Sequence, residues 1–122
     1  MNDEINVIVL AYLGDSVYEL EIRKRLLSIN KHNVDMLQKK SIDFVSAKAQ
    51  SNILKNMTED NFLTSEELEI IRRVRNYKRK IHPKNTDIMT YKYASAFEAL
   101  LGYHYINNNI KRIDEIMDYI WR

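Results

Sequence analysis

The sequence predicts an all-α fold, and three observations support this prediction. The 122 residues include only two glycines and one proline, too few for the turns of a multi-stranded sheet. Apolar residues recur along most of the chain at the three-to-four-residue spacing of helices. With 45% hydrophobic and 30% charged residues, the composition is that of an ordinary globular protein. The length suits one domain with one core, so we expect a single domain over residues 1–122.

The first helix is predicted from about Asn2 or Asp3 to Leu27. Its apolar stripe consists of Ile8, Ala11, Tyr12, Tyr18, Ile22 and Leu26. Asp15 falls on the same stripe at helical spacing, so a charge is predicted where a core residue is expected.

The second and third helices are predicted from capping signals. Polar residues 30–33 form a break that can cap a second helix, over about 35–57. Thr64 and Glu67 have the spacing of a capping box and open a third helix, over about 65–79.

The last two helices follow a predicted loop at residues 82–85, because proline disfavours helix in the residue before it. Thr86 or Asp87 is expected to cap a fourth helix over about 88–106, and Glu98 lies on its stripe. Three consecutive asparagines end that helix, and a short amphipathic helix closes the chain.

Both glycines lie inside apolar helical segments, each near a carboxylate that is the only charge of its segment. Glycine costs roughly 1 kcal/mol relative to alanine in a helix interior, so its use here indicates backbones brought close together. An ionised carboxylate on a core-facing stripe also needs a compensating partner. We therefore expect two helices to cross at Gly14 and Gly102 and to bring Asp15 and Glu98 together.

The residues alone leave two interpretations of this acid pair open. In one, both carboxylates bind a divalent cation, Mg²⁺ or Mn²⁺, which would activate water and stabilise charge during attack at phosphorus. In the other, each acid is a structural group paired with a lysine, an arginine or one of the eight tyrosines.

Composition excludes several classes of protein and site. The absence of cysteine excludes disulfides, zinc–thiolate sites and thiol nucleophiles. The acidic start does not resemble a signal peptide, and the longest apolar run, residues 7–13, is far too short to span a membrane. We expect a soluble, cytoplasmic protein.

Residues 72–85 contain seven lysines and arginines and no acid, whereas the rest of the chain is net acidic. A basic patch on a chain of net charge +2 is typical of polyanion binding, although a solvated helix face has the same pattern. Three of the cations, at 75, 78 and 79, are expected on one helix face. The candidate RNA-binding residues are Arg72, Arg73, Arg75, Lys78, Arg79, Lys80 and Lys84.

Together these segments resemble the ribonuclease III domain family. Residues 13–17, Leu-Gly-Asp-Ser-Val, resemble the family's signature helix, and residues 97–102 resemble its second metal-binding helix. The resemblance is narrower still to the bacterial branch that consists of the catalytic domain alone, Mini-ribonuclease III. The matching stretches occur in family order: LAYLGDSVYE, FVSAKAQ, RRVRNYK, PKNTD and TYKYASAFEALLGYH.

The resemblance implies an all-helical, homodimeric endonuclease that hydrolyses double-stranded RNA with Mg²⁺ and matures the ends of 23S ribosomal RNA precursor. It assigns Asp15 and Glu98 as catalytic and metal-binding residues. The usual family pattern has two more acids, where this chain has Ala11 and Ser95. Two acids hold one Mg²⁺, and a second ion would need another acid such as Glu19 or Asp87. The residues expected to support the metal ligands are Glu19, Lys48, Asp87 and Ser95.

We expect no separate double-stranded-RNA-binding domain, so the catalytic domain itself would hold the duplex through residues 72–84. Because the signature helix lies at the dimer interface in this family, Tyr12, Tyr18 and Ile22 are expected dimer contacts. The alternative function is a non-catalytic helical RNA-binding or ribosome-assembly module, in which Asp15 and Glu98 are core hydrogen-bonding residues.

Overall fold

The computed structural model describes residues 5–78 and 87–122, which form six helices and no strand. The helices are α1 (Val7–Leu26), α2 (Val34–Val45), α3 (Ala47–Glu59), α4 (Ser65–Arg75), α5 (Ile88–Ile106) and α6 (Ile110–Trp121). The all-α prediction is therefore confirmed. In this described part of the chain, no helix is long and apolar enough to cross a membrane.

The starts of α4 and α5 follow the predicted caps, and in each a side chain accepts a hydrogen bond from a backbone N–H. Thr64 and Glu67 form the full capping box at the start of α4, with hydrogen bonds of 3.1 and 2.9 Å. Asp87 caps α5 by accepting from the backbone N–H of Thr90 at 3.1 Å. The first helix begins later than predicted, because Asn6 is its cap.

The helix predicted over 35–57 is wrong in one respect, because it is two helices that meet at Ser46. This residue has extended backbone angles (φ −63°, ψ 154°), and its hydroxyl accepts from the backbone N–H of Ala49 at 3.2 Å. Serine competes with helical hydrogen bonding in this way, so it can end one helix and cap the next. The predicted loop at 82–85 lies outside the described residues.

The core is built around α5, which packs against α1, α3, α4 and α6. Fully buried side chains come from every helix except α2, which has no buried residue. Tyr18 of α1 packs edge-on against Phe97 of α5, with ring centroids 4.8 Å apart. This central position makes α5 buried on most of its faces.

A buried polar cluster ties α4, α5 and α6 together. Glu67 is only 1% exposed and accepts hydrogen bonds from Arg112 at 2.8 Å through each carboxylate oxygen. His104 lies 2.6 Å from the same carboxylate. Burial alone would raise the pKa of Glu67, but the bonds from Arg112, His104 and Thr64 hold it well below its ordinary value. The cluster therefore has a structural role, and it includes the ion pair between Glu67 and Arg112.

Candidate active site

The two glycines mark the closest approach of α1 and α5, as predicted. A Cβ atom on Gly14 would overlap the backbone carbonyl oxygen of Glu98 and lie 2.9 Å from the backbone nitrogen of Gly102. A Cβ atom on Gly102 would overlap the carbonyl oxygen of Leu10 and lie 3.1 Å from the nitrogen of Gly14. The two backbones therefore touch, and any larger residue at either position would force the helices apart.

This contact places the carboxyl groups of Asp15 and Glu98 next to each other. Asp15 directly follows Gly14, and the backbone of Glu98 contacts that same glycine. The prediction that Asp15 lies in the core stripe is wrong, because Asp15 is exposed and Glu98 is half-buried. At about 100° per residue, Asp15 falls at the border between buried Ala11 and exposed Tyr12. The acid pair thus opens to solvent on the Asp15 side.

The environment of Glu98 strongly disfavours its charge. Burial, followed by the charge of Asp15 and hydrogen bonding to it, raises the pKa of Glu98 to about 8. The charge of Glu19 acts in the same direction, whereas a hydrogen bond from Gln50 lowers the pKa. Within residues 5–78 and 87–122, no lysine or arginine forms an ion pair with Asp15 or Glu98. Two adjacent carboxylates without a compensating cation fit a divalent metal ion.

In the part of the chain that the structure describes, no third acidic or histidine side chain completes a metal-binding group with the acid pair. Among the residues that the structure describes, no group of three His, Asp or Glu side chains is arranged to hold a metal. Mg²⁺ is commonly bound by one or two carboxylates and keeps several water molecules. The donor set of this chain therefore suits one such ion.

Gln50 is a site residue that the sequence did not single out. It lies in the first turns of α3, is 2% exposed, and approaches Glu98 as a hydrogen-bond donor. Its only signal in the sequence is a long polar side chain among the small ones of Ala47–Gln50, a segment in which the charge of Lys48 is the more conspicuous feature. Lys48 is exposed and lines an open groove with Asp43 and Asn52. Since Gln50 and Lys48 are two residues apart, they project from roughly opposite sides of α3.

The other supporting residues have different positions. Glu19 is near enough to influence Glu98, but it also forms an ion pair with Arg23 at 2.8 Å. Ser95 is 7% exposed and lies one turn before Glu98 in α5. Asp87 caps the N-terminus of α5, about 16 Å from Glu98 along the helix axis, so the structure separates it from the acid pair.

The basic residues are exposed at the end of α4, and the structure corrects two details. The helix ends at Arg75, so Lys78 lies beyond it rather than on one helical face with Arg75. Arg72 is neutralised by Glu69, one turn earlier, through hydrogen bonds of 2.9 and 2.7 Å. Arg73, Arg75 and Lys78 are exposed. The remaining candidates, Arg79, Lys80 and Lys84, lie outside the described residues.

Lys55 is a further cation near the basic residues of α4, although it lies far from them in the sequence. Lys55 of α3 and Arg75 of α4 lie 5.6 and 5.9 Å from the ring centroid of Tyr93. The positive surface therefore extends from α4 across α5 to α3.

The exposed face of α1 beside Asp15 is apolar. Tyr12 is 83% exposed, Val9 53% and Leu20 58%. Of the three dimer contacts expected from the sequence, only Tyr12 is available for such a role. Tyr18 and Ile22 are 0% exposed, and the Tyr18 hydroxyl donates to the backbone oxygen of Phe44 at 2.8 Å. The expectation for Tyr18 and Ile22 is wrong because both face the core of their own chain.

Comparison with known proteins places these residues in a family. The sequence profile of the Ribonuclease III domain matches residues 8–109. Mini-ribonuclease 3 of Clostridium tetani is 42% identical over 115 residues, which cover 93% of this chain and 75% of that protein. Mini-ribonuclease 3 of Enterococcus faecalis is 35% identical over 116 residues, or 95% and 88% of the two chains. A crystal structure of a Fusobacterium nucleatum protein has a TM-score of 0.85 at 35% identity, covering 97% of this chain and 94% of that one.

Proposed function

The chain belongs to the ribonuclease III domain family, and we propose that it matures the ends of 23S ribosomal RNA precursor in a Mg²⁺-dependent reaction in the cytoplasm. The similarity to Mini-ribonuclease 3 extends over nearly the whole chain, so the protein is an endoribonuclease, a hydrolase that acts on RNA. The alternative of a non-catalytic RNA-binding module is accordingly not favoured. We propose that the 122 residues act as one catalytic domain.

The observation that carries the proposed metal dependence is the pair of adjacent carboxyl groups at the glycine crossing. Asp15 and Glu98 are the residues that would hold Mg²⁺ or Mn²⁺. When bound, the ion supplies positive charge that activates water and stabilises the phosphate during in-line attack. The contact between Gly14 and Gly102 holds the helix backbones, and with them the two acids, at a fixed separation. Because burial and the charge of Asp15 raise the pKa of Glu98, we expect metal binding near neutral pH to be accompanied by release of a proton.

We propose that double-stranded RNA binds through its backbone to the positive surface of Arg73, Arg75, Lys78 and Lys55. Cations on a protein surface supply most of the sequence-independent affinity for nucleic acid, and RNA duplexes are read mainly by shape. Arg79, Lys80 and Lys84 belong to this proposal on the strength of the sequence. Reversing the charge of Arg75 and Lys78 should weaken RNA binding in a low-salt filter assay. Reversal of Arg72, which Glu69 already neutralises, should have a smaller effect.

We propose a homodimer formed through the exposed apolar face of α1, which carries Val9, Tyr12 and Leu20. Apolar side chains of this size, exposed on one face of a helix, are typical of an interface. Because Asp15 borders the same face, a dimer would bring two sites close to one duplex.

Cleavage of a ribosomal RNA precursor by the wild type and by Asp15→Asn, each with and without Mg²⁺, tests the proposal. We expect site-specific cleavage only by the wild type with Mg²⁺. Asp114→Asn, which removes an exposed charge on α6, is the matched control and should cleave normally. Cleavage by Asp15→Asn at the wild-type rate, or by the wild type in the presence of a chelator, would refute the assignment.

A further inference from the structure

Gln50 occupies an unusual position for a long polar side chain. It is 2% exposed and lies at the break between α2 and α3. Its Nε2 donates to the backbone oxygen of Val45, the last residue of α2, at 3.0 Å. This bond ties the amide to the chain on the far side of the break and restricts its rotation.

Gln50 also interacts with Glu98, because hydrogen bonding from its side chain lowers the pKa of that carboxyl group. A primary amide has two N–H donors, so one can go to the Val45 carbonyl and the other to the Glu98 carboxyl group. A carboxylate that accepts such a bond has one oxygen held in place and the other left for another partner. Gln50 therefore constrains the orientation of the Glu98 side chain from a third helix, in addition to the contact of α1 with α5.

The oxygen end of the amide has no partner in the described part of the chain. Oε1 of Gln50 is the one buried side-chain oxygen or nitrogen among those residues that lacks a hydrogen bond. A buried amide oxygen without a donor is costly, and a hydrogen bond from a water molecule would remove that cost. This oxygen belongs to the same amide group that interacts with Glu98.

Ala11 and Ser95 lie one helical turn before Asp15 and Glu98, so each acid has a small neighbour on its own helix. Both residues are buried, at 6% and 7% exposure, and neither carries a carboxylate. A cation held by only two carboxylates keeps more of its water molecules, and those waters need hydrogen-bond acceptors. A neutral amide oxygen is such an acceptor and adds no further negative charge to the pair.

We propose that Gln50 is a positioning residue of the metal site, which orients the Glu98 carboxylate through Nε2 and accepts a hydrogen bond from a metal-held water through Oε1. This inference rests on the proposed metal-dependent function. It makes α3 a third helix of the site, because Gln50 belongs to α3 whereas the two acids belong to α1 and α5.

Gln50→Met tests the inference, because methionine has a similar length and no hydrogen-bonding amide. Mn²⁺ binding is measured without RNA, by electron paramagnetic resonance of the free ion, and cleavage is measured separately. We expect Mn²⁺ affinity to fall about tenfold, as for other residues that orient metal ligands. In the cleavage assay kcat should fall while KM for RNA stays unchanged.

A purely structural role for Gln50 predicts a different result. Gln50→Met would then lower the melting temperature but leave Mn²⁺ affinity and kcat at wild-type values, and that outcome would overturn the inference. Ser51→Ala, at an equally buried position of α3, is the control and should leave Mn²⁺ affinity unchanged. If Gln50→Met does not fold, Gln50→Asn, which keeps the amide but is one methylene shorter, is tested by the same two measurements. Weaker Mn²⁺ binding with a lower kcat supports the inference, and wild-type values of both overturn it.

Failure of this inference is distinguishable from failure of the proposed function. If wild type binds no Mn²⁺ and Asp15→Asn cleaves RNA normally, the metal site itself is wrong. If wild type binds Mn²⁺ through Asp15 and the Gln50 variants bind it equally well, only the role of Gln50 is wrong.

Discussion

The stability of the metal-free protein is expected to fall as pH rises, because of Glu98. The pKa of this carboxyl group is raised from 4.5 to about 8 in the folded chain. Between those values the folded chain holds a proton that the unfolded chain releases. The unfolded state therefore binds fewer protons, and the free energy of unfolding decreases with increasing pH.

The size of the effect follows from the width of this pH window. One proton of difference corresponds to about 1.4 kcal/mol per pH unit. From about pH 5.5 to about pH 7, Glu98 should thus cost about 2 kcal/mol of stability. For a chain of this length, that loss lowers the melting temperature by about 8 °C. The whole stabilising effect of the proton is present below the unfolded pKa and is lost above the folded one.

The assay is urea denaturation in the presence of a chelator, at a series of pH values, for the wild type and for Glu98→Gln. The glutamine variant cannot titrate at this position, so the difference between the two proteins isolates Glu98 from all other groups. We expect Glu98→Gln to gain about 2 kcal/mol relative to the wild type across the window. Saturating Mg²⁺ should abolish much of the wild-type decline, because the cation favours the ionised carboxylate.

A constant difference between the two stability profiles would refute this reasoning. It would mean that Glu98 is not held beside Asp15 in a partly buried environment. The two-helix crossing would then not bring the acids as close together as the structure shows.

Three further predictions concern the fold and the interface. Gly14→Ala should lower stability by about 1–3 kcal/mol in urea denaturation, since the overlap with the Glu98 carbonyl outweighs the better helix propensity of alanine. Equal or higher stability would contradict the backbone contact. Arg112→Ala should lower the free energy of unfolding by about 3–5 kcal/mol, because it leaves the Glu67 carboxylate buried without its ion-pair partner. A melting temperature within a few degrees of wild type would contradict a stabilising role for this ion pair. Tyr12→Asp should shift the protein to monomers in analytical ultracentrifugation, and an unchanged dimer would exclude this face of α1.

Local sequence patterns are sufficient to predict the starts of α4 and α5. The capping box of Thr64 and Glu67 and the cap at Asp87 depend on residues a few positions apart, so they can be recognised without tertiary contacts. The break at Ser46 is not predictable from local sequence, because serine occurs both inside helices and at their ends. Its choice between the two depends on how α2 and α3 dock on the rest of the chain.

The meeting of Asp15 with Glu98 was predictable because glycine is the residue that allows two helix backbones to touch. From the chain alone one obtains the helices, the crossing at Gly14 and Gly102, and the basic patch. The tertiary structure decides which side of α1 faces water, and so it leaves Asp15 exposed and places Tyr18 in the core. It also brings Gln50 to Glu98, a contact between residues 48 positions apart. Contacts of this kind depend on how three helices pack in space, and no periodicity within one helix encodes them.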